Sequence, residues 1–145
     1  MAIDLTLGFS TLSSGTRTNS TLTEPTGTVD GDFLLGCLLM VQNLTSVTLP
    51  SGWTLIFNDA DAGNPFEAGR VGRTVLSYIR RGGSAPDLTW VHASATSTGW
   101  VWRLSGVVTT GDPEDATRSY AYDDVSPMTS TTITTATANS AVMSV

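Results

Sequence analysis

The sequence predicts an all-β fold, an antiparallel β-sandwich of about eight or nine short strands forming a single domain over residues 1–145. Two observations carry this. Of 145 residues, 24 are Thr and 16 are Ser, and Thr favours a half-buried pleated surface. Gly, Pro, Ser, Asn and Asp break the chain every 8 to 15 residues, while the long Ala/Leu/Glu/Lys stretches that build helices are missing. A chain of this length suffices for one core.

The elements follow in order. Strands are expected at Ile3 to Leu12, Phe33 to Asn43, Trp53 to Asn58, Thr74 to Arg81, Leu88 to Ala93, Gly99 to Ser105, Ser119 to Tyr122, Thr131 to Thr137 and Ala141 to Val145. The breaks have their own chemistry. Val29-Asp30-Gly31-Asp32 is a turn feeding a strand, Leu49-Pro50-Ser51-Gly52 is a turn before Trp53, and Arg81-Gly82-Gly83 ends another strand. The Thr-rich stretch from Thr129 to Ser140 reads as a solvent-facing strand.

The strand from Phe33 to Val41 is apolar on both faces: Phe33, Leu35, Cys37, Leu39 and Val41 on one, Leu34, Gly36, Leu38 and Met40 on the other. A sandwich strand ordinarily wets one face, so the second must be covered by a loop, a crossing chain or another subunit. Ala141 to Val145 is an apolar strand that leaves an exposed edge unless it is paired. Leu34, Leu38, Met40, Val142 and Val145 are therefore the expected interface residues of a homo-oligomer or a larger particle.

Charge excludes several classes. Seven basic residues, all Arg, stand against 13 acidic ones for a net charge of −6. Only Arg80 and Arg81 adjoin, so neither nucleic acid nor an anionic membrane is an expected partner. The N-terminus MAIDLTLGFS lacks a basic region and carries Asp4, so no secretory signal is expected there. The longest apolar run, FLLGCLLMV, has nine residues, about half of a membrane span, and the reading is of a soluble protein. Cys37 is alone, so no intrachain disulfide forms.

Each chemical candidate has a structural rival. His92 is the sole histidine, and with one Cys it cannot build a zinc site of three or four N/S ligands. No G-x-S-x-G elbow accompanies it, and it alternates with Leu88 and Trp90, as a strand histidine would. Asp59, Asp61 and Glu67 gather oxygen donors suited to calcium, but Gly63 and Glu67 miss the EF-hand register, so the loop reads as a solvated acidic turn. Asp30 with Asp32, and Asp112 with Glu114 and Asp115, offer carboxylate pairs for a glycosidase, yet both groups sit in Gly/Pro turns. Trp90, Trp100 and Trp102 invite sugar stacking, whereas the shared face of Trp100, Trp102 and Leu104 is a core pattern. The N-x-T triplets at Asn19 and Asn43 read as chance. No P-loop, G-x-G-x-x-G or C-x-x-C is present. No catalytic constellation, cofactor or metal is expected.

Three stretches resemble a family of β-sandwich domains found in the structural proteins of tailed bacteriophages. GDFLLGCLLMV resembles the family's G-D-L-L-L strand, and LPSGWTLI from Leu49 to Ile56 its P-x-G-W-T segment. The run from Val75 to Val107 resembles its succession of an aromatic strand, a Pro-containing turn, a T-W strand and a final apolar strand ending in Gly-Val. The resemblance spans about half the chain and implies a jelly-roll-like sandwich on the outside of a virion, with no catalytic residues to carry over. The expectation is a non-enzymatic capsid decoration or head-surface protein, assembled in the host cytoplasm, that binds other virion proteins such as the major capsid protein. A tail-fibre or receptor-binding carbohydrate module using Trp90, Trp100 and Trp102 is the alternative.

Overall fold

The computed structural model describes residues 9–41, 46–60 and 72–107. They form one antiparallel sheet of six strands, with no helix among the described residues. The strands are β1 (Phe9–Thr21), β2 (Phe33–Val41), β3 (Val47–Thr48), β4 (Thr54–Ala60), β5 (Gly72–Arg80) and β6 (Thr89–Leu104). The order across the sheet is β1-β6-β2-β5-β4, with β3 also paired to β6.

The expected strands at Phe33, Trp53 and Thr74 correspond to β2, β4 and β5. The two expected at Leu88 and Gly99 are one continuous strand, β6, of 16 residues. β1 runs on to Thr21, well past the expected end at Leu12, and β3 was not expected. The strands expected at Ser119, Thr131 and Ala141 lie outside the described residues.

The length of β6 decides the shape. Residues Thr96 to Leu104 pair with β2, while Val91 and His92 pair with β3, and β1 runs alongside both halves. Between Ala95 and Val91 the ladder with β1 slips: four steps along β6 face only two along β1, from Arg17 to Asn19. Such an irregularity bends a strand and sharpens its twist. It also shifts the inward-facing parity. Trp90 and His92 are buried before it, and Ala95, Ser97, Gly99 and Val101 after it, with Ala93 and Ser94 exposed between. The same concave side thus stays apolar through the bend, and the first half of β6 folds over the sheet.

Trp90 is the closing piece. It is 0 % exposed and packs edge-on against Trp53, ring centroids 4.9 Å apart at 65°. A Cβ on Gly36 of β2 would lie 2.7 Å from the Trp90 ring, closer than real contacts allow, so only glycine admits the indole here. Trp53 is delivered by the turn Pro50-Ser51-Gly52-Trp53. Its amide donates to the Pro50 carbonyl at 3.2 Å, and Gly52 has the φ of 81° that the third position of a type II turn requires.

Each face of β2 meets its own cluster. Leu34, Leu38 and Met40 join Leu22, Trp53, Val75, Leu88, Trp90, Ala95 and Val101 on the concave side. Phe33 and Leu35 join Leu104 on the outer side, with Ile56, Leu76, Tyr78, Trp102 and Val107 packed against them. The interface expected at Leu34, Leu38 and Met40 is corrected accordingly. The chain's own Trp90 and Trp53 lie over that face, leaving Leu34 and Leu38 at 0 % exposure. Val142 and Val145 lie outside the described residues.

The abundant Thr has a visible use. Thr16 with Thr96 and Thr21 with Thr89 are in-register cross-strand pairs whose hydroxyls meet at 3.0 and 3.1 Å on the exposed side of the β1–β6 ribbon. Gly36→Ala is expected to destabilise the fold by about 1–3 kcal/mol, the cost of overpacking a filled core. Urea unfolding checks this, with Gly82→Ala as a control because nothing lies within 4 Å of the added methyl.

Candidate functional site

Three groups of polar or aromatic side chains stand out on this frame: a buried hydroxyl–imidazole relay inside the bend, an ionic cluster at one end of the sheet, and an aromatic outer face.

The relay joins β1 to both halves of β6. Ser20 Oγ lies 2.9 Å from His92 Nε2 and 2.8 Å from Ser97 Oγ, and His92 Nδ1 lies 2.7 Å from the Ala93 carbonyl. A carbonyl only accepts, so Nδ1 carries the proton. In the neutral ring Nε2 then accepts from Ser20, which accepts from Ser97. Ser and His in contact are the first two members of a nucleophilic triad, but this pair differs in two ways. Nδ1 faces a backbone carbonyl in place of a carboxylate, and Ser20 is 0 % exposed, so no acyl group reaches its oxygen. What the relay does is satisfy three polar groups inside an apolar bend.

The ionic cluster begins at the turn before β2. Asp32, buried, accepts from Arg103 Nε at 2.6 Å and from the Val29 amide at 2.8 Å through the same oxygen, Oδ2. Arg81 bonds Glu24 Oε1 at 3.1 Å, the Gly82 carbonyl at 2.7 Å, and Asp30. The Glu24 hydrogen bond is the largest influence on Arg81 and raises its pKa above the usual value; desolvation opposes it, and the Asp30 hydrogen bond adds to the rise. Asp30 and Asp32 therefore do not face each other as a glycosidase pair; each is committed to a different arginine. The cluster ties β2, β5 and β6 together at their common end.

The outer face carries Phe33 stacked on Tyr78 at 5.0 Å and Trp100 against Trp102 at 5.4 Å and 87°. Trp100 and Trp102 are half-buried here, whereas Trp90 is sealed inside, so the three tryptophans do not form one platform. Cys37, buried on β2 in register with Trp100, has its thiol pushed up to about 12 by desolvation. Among the described residues no three His, Cys, Asp or Glu side chains converge as metal ligands. Asp59 lies in β4, paired with Thr74 of β5, and Asp61 and Glu67 lie outside the described residues. Asp112, Glu114 and Asp115 lie outside them too.

No family model matches the chain, and no curated protein or solved structure matches it either.

Sequence reasoning found that His92 shares a face with Trp90, but not its partners. Ser20 and Ser97 sit in stretches read as breaks, and only the slip in β6 brings them to one point. Ser20→Ala is expected to cost about 1–3 kcal/mol by stranding His92 Nε2 in an apolar site, measured by denaturant unfolding. Arg103→Met should cost a similar amount or more by leaving the Asp32 carboxylate without its cation.

The Cys37 thiol should stay inert to a disulfide reagent at pH 8 until the chain unfolds. Its folded pKa lies above the unfolded one, so the folded state holds a proton that the unfolded state releases. Stability is complete below about pH 9 and is lost as pH rises toward 12. The difference between the native chain and Cys37→Ala isolates this slope.

Proposed function

We propose that the chain is a non-enzymatic structural protein of a tailed-phage virion, a capsid decoration or head-surface protein that attaches to other virion proteins such as the major capsid protein and to copies of itself. The observation that carries this reading is the filled concave side of the sheet. On that side Trp90, Trp53 and the leucines of β2 pack against one another, and the sole histidine is committed to Ser20 and the Ala93 carbonyl. Attachment then falls to outside surfaces and strand edges, where apolar burial of roughly 25 cal/mol per Å² and added strand pairing supply the affinity, less the cost of association.

The sequence supports the virion assignment through GDFLLGCLLMV, LPSGWTLI and the Val75 to Val107 run. In the described structure these stretches supply β2, the turn that presents Trp53, and β5 with β6. They are the parts that build the closed interior, so the resemblance lies where the fold is decided.

Cryo-electron microscopy of purified particles tests the reading. Regularly arranged copies on the head surface are expected, and particles lacking the chain in a host that expresses it would overturn the assignment. A glycan array is expected to be blank. Saturable binding that Trp100→Ala abolishes would favour the carbohydrate-binding alternative.

A further inference from the structure

Among the described residues β1 lies at one edge of the sheet, with β6 on one side and no strand on the other. Its 13 residues are rich in Ser and Thr and contain no Pro, Lys, Asp or Glu, so their extended backbone is a template on which another chain can add a strand. Natural edges are blunted against this by bulges and by charged side chains aimed inward. β1 carries both, within residues 13–17. The ladder with β6 slips between Leu12 and Gly15, so Ser13 and Ser14 have no partner on β6. Arg17, the one charged residue of the strand, donates from Nη2 to the Ser13 carbonyl at 2.8 Å. Its cross-strand partner Ala95 and that of Gly15, Ser97, are both buried, so Arg17 leaves β1 on the concave side. The side chain then runs over Gly15, where a Cβ would lie 2.5 Å from Nη2. The use of glycine at this point is space for the guanidinium.

We propose that Arg17, seated over Gly15 and fastened to Ser13, is a guard on the β1 edge that keeps copies of this chain from pairing through it. The inward direction gives the charge its force. At the open edge the guanidinium is half-buried at the rim of the concave side and bound to a neutral carbonyl. A strand laid along β1 extends that side past the rim and takes the cation out of water, which is costly for a charge whose partner is neutral. Two copies pairing antiparallel through β1 bury two such cations, one from each. The fastening to Ser13 acts in the same sense. It holds the bulge, whose bent backbone breaks the regular alternation of donors and acceptors that an added strand needs. The guard does not depend on the virion assignment; it removes β1 from the edges available for strand pairing between copies.

The test uses the full chain with Cys37→Ala and one added thiol, Ser14→Cys in the bulge or, as the reference, Val29→Cys in the turn before β2; both positions are exposed. Oxidation followed by non-reducing electrophoresis reads how often two copies meet at each place. With Arg17 present, no more disulfide-linked dimer is expected through position 14 than through position 29. Arg17→Thr, neutral and suited to a strand, is expected to raise the yield at position 14 by about tenfold or more and to leave position 29 unchanged. Arg17→Lys, which keeps the charge, should stay near the level seen with arginine. An excess of dimer at position 14 while Arg17 is in place, or no rise with Arg17→Thr, overturns the guard. Equal rises at positions 14 and 29, or equal rises in the Thr and Lys variants, overturn it as well, because they mark a loosened fold in place of a released edge.

Discussion

The seat of Trp90 on Gly36 is the constraint on which the rest of the structure depends. A flat sheet built from β2, β5 and β6 would present Leu34, Leu38, Met40 and Val75 to water. The chain avoids this by making β6 long enough to turn back over them, and the turn works only if something large and apolar arrives at a place that accepts it. The indole supplies the bulk, the missing side chain at position 36 supplies the space, and Ser77 Oγ receives the indole N–H at 3.3 Å. Trp53, held by its own N–H to the Asp87 carbonyl at 2.7 Å, fills the flank.

The polar interior follows from the same bend. Folding a strand across its own sheet carries backbone and hydroxyl groups inside, where each needs a partner. Ser20, His92 and Ser97 satisfy one another at the point where β1 and the two halves of β6 converge. The histidine is therefore explained by architecture, and a sealed hydroxyl–imidazole contact with no carboxylate behind it is a structural joint. Asp32 plays the matching part at the other end, where one buried oxygen serves both a turn amide and Arg103.

Much of this was legible in the sequence, for reasons that can be named. β2, β4 and β5 are short, apolar or alternating, and bounded by Gly and Pro, so local pattern suffices. The doubly apolar character of β2 announced that both faces would be covered. What covers the concave one was not legible, because the inward parity of β6 changes between His92 and Ala95. Across that change the stretch Ser94-Ala95-Thr96-Ser97-Thr98 looks like a loop between two strands, although from Ala95 to Thr98 its backbone pairs with β1 or β2. β1 was cut short for the same reason: Ser13, Ser14 and Gly15 read as a break but form a bulge inside a continuous edge strand. Ion pairing was invisible too, since which Asp meets which Arg depends on the order of strands in the sheet.

Hydrogen exchange of the Trp90 indole proton, followed by NMR on the full chain, tests the central claim most directly. If the folded-over half of β6 closes the interior, that proton exchanges only when the whole sheet opens, with the denaturant dependence of global unfolding. Exchange at the rate of a solvated indole, or through a local opening with little denaturant dependence, would show that the interior is not closed by Trp90 and would contradict the account.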